Sequence, residues 1–162
     1  MKSGWLFFLL LCLVPLPVFA RDYQEVVSKI DNDFFKIDTK SILIRTENCF
    51  EEAQSEQVLL SMNGRSGEMK FSSTEIVCPV AAVYRSSGYR VGNYQVEITR
   101  DQENWYKISD QDIYILTDSC LIYATEQEAL LSVSTVGKRG GGSLHLDREG
   151  CKVIGLYSPL EL

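Results

Sequence analysis

The chain has 162 residues, 45% of them hydrophobic and 23% charged, and a formal net charge of -6. That is the balance of a globular domain, and its acidic sign argues against nucleic acid or an anionic membrane as default partner while suiting a cationic one. Five cysteines and a single histidine, with no C-x-x-C pair, offer none of the common zinc-site spacings, so no metal or cofactor is expected.

Residues 1–20 read as a secretory leader. Lys2 supplies the positive start, Trp5 to Val14 is an unbroken apolar run, and Pro15 and Pro17 break it before Val18-Phe19-Ala20. The run is shorter than the roughly 20 residues that span a bilayer, and the leucines before Cys12 are not the small residues of a lipid-attachment site. Cleavage after Ala20 removes one cation, Lys2, and takes the net charge from -6 to -7. The expected location is the periplasm or the exterior, in a soluble or peripheral protein. Four cysteines remain there, and an even number in an oxidising compartment reads as two disulfides.

The first mature segment, 21–32, carries Tyr23, Val26, Val27, Ile30 and Phe34 at helical spacing, and Asp22 with Glu25 resembles a capping box. A short helix over 22–31 is expected. From residue 33 the period becomes two. Strands are predicted at 34–37, 41–46, 57–62, 68–72 and 77–83, with Asn63 to Gly67 as a hairpin loop. Residues 84–103 read as a loop followed by a strand over Tyr94–Thr99. The strand pattern then returns at 105–108, 112–117, 128–134, 143–147 and 151–157, with a further strand possible at Cys120 to Ala124.

The two β regions are copies of each other. Asp33 to Ser61 aligns without a gap on Asn104 to Ser132 at an offset of 104 - 33 = 71. Cys49 meets Cys120, Ile44 meets Ile115, and Leu59-Leu60-Ser61 meets Leu130-Leu131-Ser132. Beyond a length change, Cys78-Pro-Val80 faces Cys151-Lys-Val153. Self-similarity of this kind marks a duplicated unit of about 50 residues, here 33–83 and 104–162. A copied unit carries its own staple, which favours Cys49–Cys78 and Cys120–Cys151; each bridge closes a loop near 30 residues, for about 3.5 kcal/mol on the chain-entropy model. The fold class is therefore mainly β, two tandem disulfide-stapled units of four to five strands. Leu43, Leu59, Tyr114, Leu116 and Leu130 make some strands apolar on both faces, and such strands are usually covered on both. Either two small barrels in contact or one shared sandwich fits.

Candidate chemistry is sparse. His145 falls on the polar face of its strand, with no nucleophile motif to work with. Glu51, Glu52, Glu56, Asp110, Asp112 and Asp118 sit in turns and on exposed faces without calcium-loop spacing. No catalytic residue is assigned. Gly137 to Gly142, with Lys138 and Arg139, lacks the strand-to-helix setting of a phosphate loop and reads as a hairpin that could serve as a binding tip. The segment expected to recognise a partner is 84–94, through Tyr84, Arg85, Ser87, Gly88, Tyr89, Arg90 and Tyr94. It mixes rigid amphipathic aromatics with adaptable polar groups.

Thr117-Asp-Ser-Cys120-Leu-Ile-Tyr123-Ala124, with Cys151-Lys-Val153, resembles a set of small exported bacterial proteins of unknown function that carry an I-x-T-x-x-C strand and a closing C-x-V. Ser87-Gly88-Tyr89 is also similar to the Ser-Gly…Tyr loops of periplasmic lysozyme inhibitors. The first resemblance implies export and a β repeat, but no activity. The expectation is a non-catalytic binding protein, an inhibitor or immunity-type partner for a basic extracytoplasmic enzyme or peptide. The competing readings are a self-associating envelope protein and a hydrolase using the acidic clusters.

Overall fold

The structure, a computed structural model, describes residues 20–134 and 141–162. The expected leader up to Phe19, and Lys138 and Arg139 of the glycine-rich loop, lie outside the described residues. Twelve strands follow in order: β1 (Arg21–Asp31), β2 (Phe34–Ile37), β3 (Ile42–Thr46), β4 (Glu56–Asn63), β5 (Ser66–Phe71), β6 (Val77–Ser86), β7 (Gly92–Gln102), β8 (Trp105–Ile108), β9 (Tyr114–Asp118), β10 (Gln127–Val133), β11 (Gly142–Leu146) and β12 (Glu149–Leu160). Cys120 to Ala124 is not a strand.

The first six strands close into a ring. β1 pairs with β2 and β4, β4 with β5, β5 with β6, β6 with β3, and β3 with β2, all antiparallel. Strands β7 to β12 close in the same order. Closure leaves no bare edge between neighbours. The inward residues fill each ring: Phe35, Ile37, Ile44, Leu60, Met69 and Phe71 in the first, Tyr106, Ile108, Ile115, Leu131, Leu144 and Leu146 in the second.

The helix expected over 22–31 is instead β1. Its backbone groups pair with β4 from Arg21↔Met62 to Val27↔Glu56, and with β2 at Val27↔Ile37. A ten-residue helix has little stability of its own, and its β-branched Val26, Val27 and Ile30 suit a strand that two open neighbours demand. The same reasoning corrects residues 84–103. β6 runs on to Ser86, and β7 takes Gly92 to Gln102 as the closing strand of the second ring. Each ring thus has six strands, not four or five, because the segment ahead of each presumed unit is part of it.

Both disulfides are intra-ring, Cys49–Cys78 and Cys120–Cys151, each with Cα atoms 5.4 Å apart. They tie the loop after β3 to β6 and the loop after β9 to β12. Thr46 and Thr117 are the polar residues buried with the core. Each hydroxyl donates to a backbone carbonyl, of Asp33 at 3.2 Å and of Asn104 at 3.1 Å, so neither is an uncompensated polar group.

The rings meet through the ends of β6 and β12. Tyr157↔Ser86 to Leu160↔Val83 pairs β12 with β6, making one continuous sheet of twelve strands. Outward-facing side chains of β2, β3 and β6 then close against those of β8, β9 and β12. A separate cluster of Phe34, Leu43, Tyr84, Trp105 and Leu116 fills the contact. Trp105 is its centre, with ring centroids 4.8 Å from Phe34, 5.2 Å from Tyr84, 5.4 Å from Tyr114 and 5.8 Å from Tyr157. The doubly apolar Leu43, Tyr114 and Leu116 are therefore covered by the other ring. Leu59 is only half-buried and Leu130 exposed, because both lie on outer faces away from the junction.

Candidate functional site

The junction has two sides, and they differ. β1 bulges between Lys29 and Asp31, and β7 bulges between Arg100 and Gln102. The extra residues are Ile30 and Asp101, again 101 - 30 = 71 apart. A bulge re-aims its side chain, and both of these meet the opposite ring's face. On one side Asp101 accepts a hydrogen bond from Arg45 across the junction at 2.8 Å. Tyr114 packs there against Trp105 and, edge-on at 5.1 Å, against Tyr84. Tyr84 is buried, and its phenol pKa is pushed up to about 12, chiefly by desolvation, with the Arg45 charge opposing.

On the other side the corresponding positions hold different residues. Leu116 stands where Arg45 does (45 + 71), Ile30 where Asp101 does, and Leu43 where Tyr114 does. No ion pair can form and a smaller side chain replaces a ring. What remains is a cleft of about 520 Å³ lined by Ile30, Leu43, Leu116, Ile154 and Tyr157, with Asp31, Lys36, Ser41, Asn104 and Thr117 to Ser119 around them. Ile30 is 44% and Ile154 41% exposed, so part of the apolar lining faces solvent. Tyr157 lies over Gly155, where a Cβ would come within 2.8 Å of its ring. Glycine at 155 is what lets the tyrosine lie flat there.

The polar groups of the cleft are unequally engaged. Asp31 accepts from the Asn32 amide at 2.8 Å and from the Asn104 side-chain amide at 3.4 Å. Asp118 pairs with Lys152 at 3.3 Å. Lys36 has no such partner among the described residues. An apolar patch bordered by oriented polar groups, at this volume, suits a ligand site. It can hold a molecule by burial and hydrogen bonding. A larger groove of about 630 Å³ runs over the outer face of β1, β4 and β5, but its charges are matched, Lys70 with Glu75 and Glu25 with Lys40.

The predicted recognition residues are dispersed. Tyr84 is inside the junction. Arg85, Gly88 and Arg90 are exposed. Tyr89 packs edge-on against Tyr94 at 5.1 Å and donates to the Gln111 side chain at 2.6 Å, while the Tyr94 hydroxyl donates to the Arg90 carbonyl at 2.9 Å. Tyr89, Arg90 and Tyr94 thus form one tied-down turn, with Tyr89 shielded enough that desolvation raises its pKa. Ser87 has a buried hydroxyl oxygen without a partner. The exposed Arg85 and Arg90 give this segment positive charge, which does not suit a cationic partner there.

The acidic candidates are spread over separate contacts: Glu51 with Thr74, Glu52 with Lys29, Glu56 with the Ser73 amide, Asp112 with Lys107. His145 is exposed beside Ser143, 2.9 Å from its hydroxyl. Sequence reasoning passed over Ile30, Lys36, Ser41, Asn104 and Ile154. The available signal was the alignment itself: across the copies, Ser41 faces Asp112, Leu43 faces Tyr114 and Ile30 faces Asp101, substitutions of unlike chemistry within a well-matched frame. No family model, no curated protein and no solved structure matches the chain.

Proposed function

We propose that this is an exported, non-catalytic binding protein made of two copies of one disulfide-stapled β unit, and that it binds its ligand at the junction between them. The observation that carries the reading is the cleft: an open space of about 520 Å³, lined by both apolar and polar side chains, at the one side of the junction where the ion pair of the other side is replaced by Ile30 and Leu116.

The duplication is supported by contacts that repeat at the same offset. Lys29 N–H donates to Ala53 and Arg100 N–H to Ala124; Asp38 N–H donates to Val26 and Ser109 N–H to Glu97. Left-handed backbone recurs at Asn48 and Ser119, and at Ser55 and Glu126. Export is supported by the leader pattern and by two disulfides, which persist in oxidising compartments. No helix among the described residues is long and apolar enough to cross a membrane. A binding role without catalysis is supported by the dispersal of the titratable groups into separate surface contacts.

The test is native mass spectrometry of the oxidised protein purified after export. A bound mass is expected, lost in Leu43→Trp, whose ring fills the cleft, and kept in Tyr89→Ala, which lies elsewhere. A bound mass indifferent to Leu43→Trp, or none at all, refutes the reading. A second reading, self-association in the cell envelope, is favoured by Phe50 and Leu121, which follow the first cysteine of each pair and are 87% and 73% exposed. Sedimentation velocity separates the two, since concentration-dependent assembly lost in Phe50→Ser/Leu121→Ser belongs to the second alone.

A further inference from the structure

Lys36 and Lys107 occupy the same place in the two rings (36 + 71 = 107) and have opposite surroundings. Lys107 pairs with Asp112 at 3.7 Å, and its ammonium stands 6.0 Å from the centroid of the Tyr114 ring. Position 112 corresponds to Ser41 and position 114 to Leu43, so Lys36 has lost both the carboxylate and the ring. It is half-buried, directly opposite Leu43 in the β2–β3 pairing, and it lines the cleft. Of the carboxylates of the same cleft, Asp118 is paired with Lys152, and Asp31 keeps its charge but accepts hydrogen bonds from the Asn32 and Asn104 amides, not from Lys36.

A half-buried ammonium lacking a counter-charge, beside an apolar floor and a hydroxyl, is complementary to one kind of molecule. We infer that the cleft binds a small amphipathic carboxylate, its anionic group on Lys36 and Ser41 and its apolar body on Leu43, Leu116 and Ile154. This rests on the junction being the binding site and adds the chemistry of what enters it. The charge sets the head: a charge-assisted hydrogen bond to carboxylate is favourable, whereas a second ammonium beside Lys36 is repelled. The apolar lining sets the body, with Tyr157 as the wall on the β12 side. The opposite side of the junction cannot do the same, since Arg45–Asp101 and Tyr114 occupy it.

The probes are decanoate, decanol and decylammonium below their micellar concentrations, titrated into the oxidised protein and followed by calorimetry. Trp105 emission is a second readout, because its ring is 5.8 Å from Tyr157. Decanoate is expected to bind about tenfold more tightly than decanol, and decylammonium more weakly than either. Lys36→Met should remove the tenfold preference and leave decanol unchanged. Ile30→Asp/Leu116→Arg places across the cleft the pair that Asp101 and Arg45 make on the other side, and should abolish binding of all three. Circular dichroism on both variants establishes that they fold. Equal affinity for decanoate and decanol, a preference for the amine, or an undiminished preference in Lys36→Met overturns the inference. So does the absence of binding by all three probes. In each of these cases the broader reading stands or falls separately, on whether Leu43→Trp displaces the mass that co-purifies.

Discussion

Tyr84 makes the junction sensitive to alkali, with a magnitude that can be worked through. Its phenol is buried between the rings and titrates at about 12, against an ordinary value of 10.0 that the unfolded chain regains. Between these two values the folded protein holds a proton that the unfolded chain releases, so stability falls as pH rises. Below pH 10 the contribution is fully present, and it is lost through the folded value near 12. Two units at about 1.36 kcal/mol each set the loss at roughly 2.7 kcal/mol, a large share of the 5–15 kcal/mol typical of a domain. Tyr84→Phe removes the titration and keeps the ring against Trp105 and Tyr114. Urea unfolding at pH 9 and pH 12 is the assay, followed by circular dichroism and by Trp105, the only tryptophan outside residues 1–20. Tyr89 and Tyr106 also have raised values from desolvation, so both proteins lose some stability in this window. The wild type should lose about 2–3 kcal/mol more than Tyr84→Phe. Equal losses in the two proteins refute the assignment of Tyr84 to a buried junction.

Trp105→Ala should cost about 3–5 kcal/mol, since it empties the middle of the inter-ring cluster, and dichroism in urea should then show the two rings unfolding with less cooperativity. Replacing Cys49 and Cys78 by Ala should lower the unfolding free energy by about 3.5 kcal/mol on the chain-entropy model, read from urea unfolding with the second bridge intact. Gly67→Ala and Gly142→Ala should each destabilise by more than about 1 kcal/mol: an added Cβ would lie 2.2 Å from the Ser61 carbonyl oxygen and 1.9 Å from that of Ser132, so the paired strand must move away. Thr117→Val should cost about 1 kcal/mol, the net worth of the hydroxyl's bond to the Asn104 carbonyl, read by thermal melting.

Much of the fold was legible in the pattern of residues because closed β rings impose period two on every strand. Ile42 and Ile44, Val58, Leu60 and Met62, and Leu144 and Leu146 all alternate, and the strands they predict are present within a few residues. The disulfide pairing, Cys49–Cys78 and Cys120–Cys151, was legible in the matching positions of the cysteines in the two halves. β1 was misread because Tyr23, Val26, Val27 and Ile30 satisfy a helical spacing as well as a strand's. Its true state is set by β2 and β4, which come later in the chain and would otherwise each present a bare edge. β7 was cut short for a related reason: Arg100, Asp101 and Gln102 look like a loop, and only the bulge at Asp101 makes them the end of a strand. The candidate recognition segment 84–94 is divided by the fold in a way composition does not foretell, since composition cannot tell an exposed tyrosine from a buried one. Tyr84 and Tyr89 read alike as sequence, yet one is sealed between rings and the other tied to Gln111.

If the two rings are copies of one unit, as proposed, the asymmetry of the junction follows from what duplication does to an interface. Two identical rings related by a two-fold relation must present the same contact twice, so any gap or ion pair would appear on both sides. Once the copies are joined in one chain, each side can change alone. Here the side with Arg45, Asp101 and Tyr114 has the charge pair, the stacked ring and the buried phenol, and it holds the rings together. The other side is thereby relieved of that task, and Leu116, Ile30 and Leu43 in place of those three leave it open. The β6–β12 pairing, from Tyr157↔Ser86 to Leu160↔Val83, fixes the relative placement of the rings, so opening one side does not let the rings slide. If the closed side is what allows the open one, breaking it should be felt across the junction. Asp101→Asn should weaken decanoate binding although Asp101 lies outside the cleft, whereas Glu75→Gln, which breaks a surface pair with Lys70 of β5, should not.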